Sequence, residues 1–275
     1  MPSATQTAYG SVASLWRYPV KSMMGEELNA TEVTERGLLG DRAFALIDGS
    51  DGKVASAKNP RKWPNLFDFR ATFVEPPSAA AKVPRVRIVL PDGTTLANDQ
   101  ADLNQILSNA LNRAVTLSAA GRGAVSAEEY WPDMEGLDHR DTVTDFILPE
   151  QTFFDSAVVH LLTTATLDHL RELYPQGRFE TRRFRPNIVV QSVSGEKSFL
   201  ENAWVGHTLV IGSEVRLSVT GACARCVMTT LPQGDLPRDP GILRTAAQYN
   251  QANVGVYAAV MRGGTIRRGD AVRLE

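Results

Sequence analysis

Short β-prone runs, each closed by a turn signal, recur along this chain, and they narrow its architecture before any residue is given a chemical role. Residues 11–20 (SVASLWRYPV), 42–48 and 85–90 (RVRIVL) are rich in Val, Ile, Leu and aromatics. The turn-forming stretches DGSDG and PDG bound them. Residues 48–52 read as a hairpin tip, because Asp-Gly tolerates positive φ. The pattern returns in RFRPNIVVQS, HTLVIG, EVRLSVTG and GVYAAVM. Helical spacing is confined to three segments. Leu103, Ile106, Leu107, Ala110 and Leu111 recur on one side of residues 101–112. A second helix starts near Thr164, carries Leu167, Leu170 and Leu173, and ends before Pro175; a third covers residues 241–250. Strands with a few helices predict a mainly β, α+β fold with barrel-like units, not a doubly wound sheet.

At 275 residues the chain can bury a large core without crosslinks, as one big domain or two ordinary ones. Its 29 basic and 31 acidic residues nearly cancel, so no global field points to nucleic acid or an anionic membrane. The opening MPSATQTAYG lacks the basic and apolar parts of a secretion signal, and no apolar run approaches the ~20 residues of a spanning helix. A cytoplasmic, reducing setting is the expectation. Two stretches read as loops. Residues 76–84 (PPSAAAKVP) suggest a surface excursion. Residues 127–145 carry seven acids and suggest a connection, a lid or part of a docking surface.

Both cysteines of the chain, Cys223 and Cys226, lie in TGACARCVMTT. A Cys-x-x-Cys is half of a structural zinc site, but the four histidines offer no second half at the usual spacing. A redox pair wants a helix at the first cysteine, and the β-prone VMTTLP that follows does not favour one. There remain a single thiolate ligand or nucleophile, with Arg225 favouring ionisation, and two inert buried thiols. No P-loop, dinucleotide fingerprint, serine-hydrolase elbow or His-Glu-x-x-His is present.

Polar groups that could hold an anion collect elsewhere. In RRFRPNIVV, Pro186 predicts an extended Arg185, and strand alternation sets Arg183, Arg185 and Asn187 on one face. Lys21 and Ser22 follow the strand broken by Pro19, and Arg42 stands at a strand entrance. Thr163 and Thr164 sit at a strand-to-helix junction, where free amides suit an anion.

YPVKS, GLLGDR, FRPNIVV, CARCVMTT and GTIRRGDAV, in that order over nearly the whole chain, resemble the MOSC-domain proteins that carry an N-terminal β-barrel domain, among them the amidoxime-reducing components. The resemblance implies an N-terminal barrel domain at residues 1–122 and a MOSC domain at 123–275. It implies the molybdenum cofactor, a pterin dithiolene with a phosphate, with Cys226 as the catalytic thiolate on the metal. Lys21, Ser22, Arg42, Arg185 and Asn187 match cofactor contacts, and Thr163 and Thr164 match more loosely. The implied activity is reduction of small N-hydroxylated or N-oxygenated substrates, with electrons from a separate protein of the ferredoxin or flavin-reductase type. Family members of this kind have Val-Asp-Pro after the two threonines, whereas this chain has Leu231-Pro232-Gln233, so substrate access is expected to differ. The chain lacks the length for the pyridoxal-phosphate domain of cofactor sulfurases. A sulfur carrier using a Cys226 persulfide and a cofactor storage or delivery protein are the alternatives.

Overall fold

The β-prone runs of the C-terminal half close into a ring. The structure, a computed structural model, describes residues 8–79, 83–121, 123–135, 139–193 and 195–275. Ala8–Arg17 pairs antiparallel with Ile188–Ser192, setting Val12 opposite Val190. Ile188–Ser192 runs parallel to Val159–Thr163, which lies antiparallel to Asn253–Arg262. The ring continues through Val215–Ala224, Thr208–Ile211 and Ala271–Leu274 and returns to Ala8–Arg17, seven strands in all. Successive side chains in a strand point to opposite faces, so every second residue can fill the interior. Val215, Leu217 and Val219 do so, packed with Leu161, Ile188, Leu209 and Val272. Closing the ring removes the exposed edges that an open sheet would present.

Smaller sheets make up the N-terminal half. Phe44–Asp48 pairs with Val115–Ala119, and Arg70–Phe73, Val86–Val89 and Thr95–Ala97 form a meander. Helix α1 (Leu103–Leu111) buries Leu103 and Leu107 and ends at Asn112 in the left-handed region. Trp63, Leu66, Phe67, Phe69, Ile88 and Leu96 belong to this half's own core. The expected tip at residues 48–52 is a turn in which Gly52 (φ 71°) donates to the Asp48 carbonyl.

Three further α-helices occur among the described residues: α2 (Thr164–Leu173), α3 (Thr181–Phe184) and α4 (Gly241–Asn250). α2 and α4 lie where the leucine spacing and GILRTAAQYN predict them. α3 corrects the expectation of a strand through Arg183 and Arg185. Arg185 is not extended but left-handed (φ 53°, ψ 47°), capping α3 by donating its N–H to the Thr181 carbonyl. The strand begins only at Ile188.

The acidic stretch is also not a plain loop. Ser126–Trp131 and Thr142–Ile147 pair as an antiparallel hairpin; residues 136–138 between them lie outside the described residues, as do 80–82 in PPSAAAKVP. Glu128 is 3.0 Å from Lys53, Glu129 3.2 Å from Lys58, and Asp145 2.7 Å from Lys53, while Asp133 pairs with Arg140 and Asp141 with Arg61. Glu128 and Glu129 are largely covered by these pairings, whereas Asp133, Asp141 and Asp145 remain more than half exposed.

The two halves interlock. Ala8–Arg17 opens the chain yet completes the C-terminal barrel, so a division after residue 122 cuts across this pairing. Gly264–Arg267, near the other end, pairs with Ala30–Thr34.

Candidate functional site

Cys226 lies where the two halves meet. Strand Val215–Ala224 ends just before it, and Cys226 caps a single 3-10 turn, Val227–Thr230. That turn corrects the β-prone reading of VMTT. Its β-branched residues are poor helix formers, but Thr229 Oγ1 donates to the Cys226 carbonyl (3.0 Å) and Thr230 Oγ1 to that of Val227 (2.8 Å). Val227 and Leu231 then pack into the N-terminal core. The two threonines therefore fold the turn that presents the cysteine.

Arg183 fixes the same segment from beneath. Fully buried, it donates to the carbonyls of Arg178 (2.9 Å), Thr229 (3.1 Å), Leu231 (3.2 Å) and Pro237 (2.9 Å). It holds carbonyl oxygens, not a ligand, and so leaves the proposed anion grip.

Cys226 shares a narrow cleft of about 90 Å³ with Arg42, Lys58, Arg185, Arg225 and Asp155. Small-molecule sites usually span ~300–1,000 Å³. The charged side chains here pair with one another: Lys58 is 3.5 Å from Asp155, and Lys21 bonds both Asp155 and the Phe153 carbonyl (2.8 Å). Burial pushes the Asp155 carboxyl upward, but Lys21 and Lys58 outweigh it and hold the group well below the ordinary carboxylate range. Burial pushes the Cys226 thiol up to about 11, with Lys58 as the main opposing charge. Arg225 contributes less, because its Nη1 donates to Cys223 Sγ (2.6 Å) and its Nη2 to the Phe184 carbonyl (2.6 Å). Arg225 Nε is buried without a partner. His160 also lines the cleft. Burial, reinforced by Arg225, lowers its pKa to about 3, so it stays neutral. Gly255 (φ 85°) makes room for it: a Cβ there would come within 2.2 Å of His160 Nε2.

The other predicted residues divide. Arg42 and Arg185 reach the cleft and both stack on the Tyr18 ring, at 4.9 and 4.1 Å. Arg185 also donates to the Met23 carbonyl across the interface (2.8 Å). Asn187 lines the cleft, but its amide is used internally: Nδ2 donates to Asp41 Oδ2 (2.8 Å) and Oδ1 accepts from His160 N (3.1 Å). Lys21 lies one partner back, through Asp155. Ser22 Oγ accepts from Ala57 N (3.0 Å) and does not line the cleft. Thr163 and Thr164 do not line it either. Thr163 is fully buried as the N-cap of α2, accepting from Thr166 N (3.1 Å) and donating to Glu201 Oε2 (2.5 Å). The carboxylate of Glu201 already occupies that junction.

Lys58 and Asp155 stand in no recognisable sequence pattern, whereas Asp41 lies within the GLLGDR motif beside Arg42. Asp41, one residue before Arg42 in GLLGDR, is the hub. Its carboxylate accepts from Tyr18 N (2.7 Å), Asn187 Nδ2 and Arg42 Nη1, with its side chain fully buried. Asp41→Ala is expected to cost about 3–5 kcal/mol in urea unfolding, because a partly buried cation and two buried donors, Tyr18 N and Asn187 Nδ2, lose their acceptor. A loss below about 1 kcal/mol would show that the hub carries no weight.

Two family models match the chain in series: a MOSC N-terminal beta barrel domain over residues 9–141 and a MOSC domain over residues 149–273. Mitochondrial amidoxime-reducing component 1 of Homo sapiens is 27% identical, with 96% of this chain and 83% of that protein covered. Mitochondrial amidoxime reducing component 2 of Macaca fascicularis is 28% identical over the same shares. A molybdenum cofactor sulfurase of Oryza sativa subsp. japonica is 25% identical over 85% of this chain and 30% of its own. Among solved structures, the YUAD protein of Bacillus subtilis aligns over 96% of this chain and 94% of its own, at 12% identity and a TM-score of 0.47.

Proposed function

The chain is a MOSC-family protein, an N-terminal MOSC beta barrel domain followed by a MOSC domain, and from that premise we propose that it is a molybdenum-cofactor-dependent reductase of N-hydroxylated compounds. The observation that carries the proposal is the content of one interdomain cleft: a cysteine sulfur, four cationic side chains and an orphaned guanidinium nitrogen.

The donors fit a pterin dithiolene bearing a phosphate in kind. Cys226 offers the soft sulfur that molybdenum accepts. Arg42, Lys58, Arg185 and Arg225 offer the positive charge an anionic group requires, and Arg225 Nε is a donor still waiting for an acceptor. Among the described residues no group of three or more His, Cys, Asp or Glu could hold a metal by itself, which suits a metal that arrives with its own ligands. When bound, that group supplies the two-electron chemistry that cleaves an N–O bond, consuming two electrons and two protons and releasing water. The chain's part is to bind and orient. Cys226 and the cations hold the group, and Asp155 keeps Lys21 and Lys58 in place until an anion competes for them.

The rival reading, a persulfide carrier, needs a reactive thiolate. A thiol raised to about 11 by burial is almost wholly protonated at neutral pH, so it attacks poorly. Metal coordination removes that proton as part of binding, so the same burial does not weigh against ligation.

The two cysteines of this chain fall short of the four that an iron–sulfur site takes, and no dinucleotide fingerprint is present. Electrons would then come from a separate donor protein of the ferredoxin or flavin-reductase type. Protein purified from a host that makes the cofactor should contain molybdenum and pterin near one per chain. It should reduce benzamidoxime with reduced methyl viologen and do nothing with NADH alone. Absence of molybdenum and pterin, or vigorous turnover on NADH, would overturn the proposal.

A further inference from the structure

A second, much larger cavity of about 620 Å³ opens beside the Cys226 turn. Its volume falls within the ~300–1,000 Å³ range of small-molecule sites. Val227 and Thr230 form one wall, so this cavity begins at the residue that follows Cys226. Tyr130 and Pro132 from the hairpin also line it. The cavity therefore combines apolar and flat surface with polar groups, and both domains contribute to it.

Its charge is one-sided. Arg61, Arg238 and Arg244 line it against the carboxylate of Asp133. Asp133 is already engaged by Arg140 at 2.6 Å. Arg61 is paired with Asp141 and lies over the Tyr130 ring at 4.0 Å. Arg238 and Arg244 have no carboxylate within ion-pairing distance among the described residues; Glu135, which borders an adjoining cavity with Arg244, does not pair with it. Two exposed guanidiniums with no carboxylate partner, at a cavity that also offers the Tyr130 ring and prolines beside the Cys226 turn, suit a ligand with a flat apolar body and an anionic end.

Building on the reductase reading, we infer that this cavity selects carboxylate-bearing substrates: aromatic or similarly flat N-hydroxylated compounds whose carboxylate is held by Arg238 and Arg244. The reacting N–O group then lies toward Val227 and Cys226, and the apolar body packs against Tyr130. Arg238 and Arg244 are specificity residues in this scheme and do no chemistry.

The test needs no turnover. Calorimetric titration of the cofactor-loaded protein, without reductant, compares 4-carboxybenzamidoxime with benzamidoxime. Wild type should bind the carboxylate compound about tenfold more tightly, as expected of two guanidinium–carboxylate contacts at a partly exposed site. Arg238→Gln with Arg244→Gln should bind both compounds alike. Arg87→Gln with Arg262→Gln, which removes the same charge at exposed positions away from the cavity, should keep the preference. Equal binding by wild type, a preference that survives in the Arg238/Arg244 variant, or an equal loss in the control variant would each overturn the inference. Turnover of unsubstituted benzamidoxime tests the reductase reading separately. A binding preference without turnover would leave the cavity's specificity standing while the reaction class fell.

Discussion

Cys226→Ser, produced and loaded alongside wild type, is expected to lose bound molybdenum and N–O reduction together, by roughly a hundredfold or more. Even outer partners of a metal are worth 10–100-fold, and a direct ligand should be worth at least as much. Cys223→Ser should retain most of both. The two sulfurs have different surroundings: Cys226 is part-exposed and lines the cationic cleft, whereas Cys223 is fully buried and accepts from Arg225 Nη1. A serine at position 223 can still accept that bond; one at 226 offers oxygen to a metal that prefers sulfur. Elemental analysis and pterin release give the occupancy, and thermal unfolding of the unloaded proteins shows whether either change merely unfolds the chain. Full occupancy in Cys226→Ser would reject Cys226 as the ligand, and loss in Cys223→Ser alone would exchange the roles.

The second large effect belongs to Arg183. Replacing it with Met keeps much of the volume but leaves the carbonyls of Arg178, Thr229, Leu231 and Pro237 without their donor in a fully buried site. Several unsatisfied acceptors at once should cost about 3–5 kcal/mol in denaturant unfolding. Because two of those carbonyls, of Thr229 and Leu231, belong to the turn that Cys226 caps and the residue after it, metal occupancy should fall in any molecules that remain folded. Arg183→Lys should recover only part of the stability, since one ammonium cannot reach oxygens spread around a planar fork. A melting temperature within a degree or two of wild type for Arg183→Met would show that the turn holds itself.

What could be read from sequence followed the range of the interactions involved. The barrel strands and α1, α2 and α4 carry their periodicity in contiguous residues, and Pro175 stops α2 where expected. α3 is a single turn, Thr181–Phe184, too short to show a period, so Pro186 seemed to govern Arg185. In fact Pro186 disfavours the right-handed helix for Arg185, and the left-handed cap is another way to avoid it. Lys58 and Asp155 come together from segments with no common pattern, and only the folded chain brings them to Cys226. The acidic stretch does not read as a hairpin in the sequence because its charges are answered by Lys53, Lys58 and Lys62 from a segment that runs beside Ser126–Trp131 in space but is distant in sequence. Cys226, Arg42 and Arg185 stand in three separate family motifs, and the folded chain brings them to one cleft.

The route by which Ala8–Arg17 enters its barrel has a consequence during synthesis. This strand is made well before its two barrel neighbours, Ile188–Ser192 and Ala271–Leu274. Until Ala271–Leu274 emerges, the growing chain must carry an open strand edge, the kind of surface on which chains aggregate. Closing the ring also requires contacts between strands far apart in sequence, Ala8–Arg17 and Ala271–Leu274, which slows folding relative to a barrel built from neighbouring hairpins. A nascent chain arrested shortly before Ala271 should therefore be protease-sensitive throughout its second half, while the core around Trp63, Phe69 and Ile88 already resists cleavage.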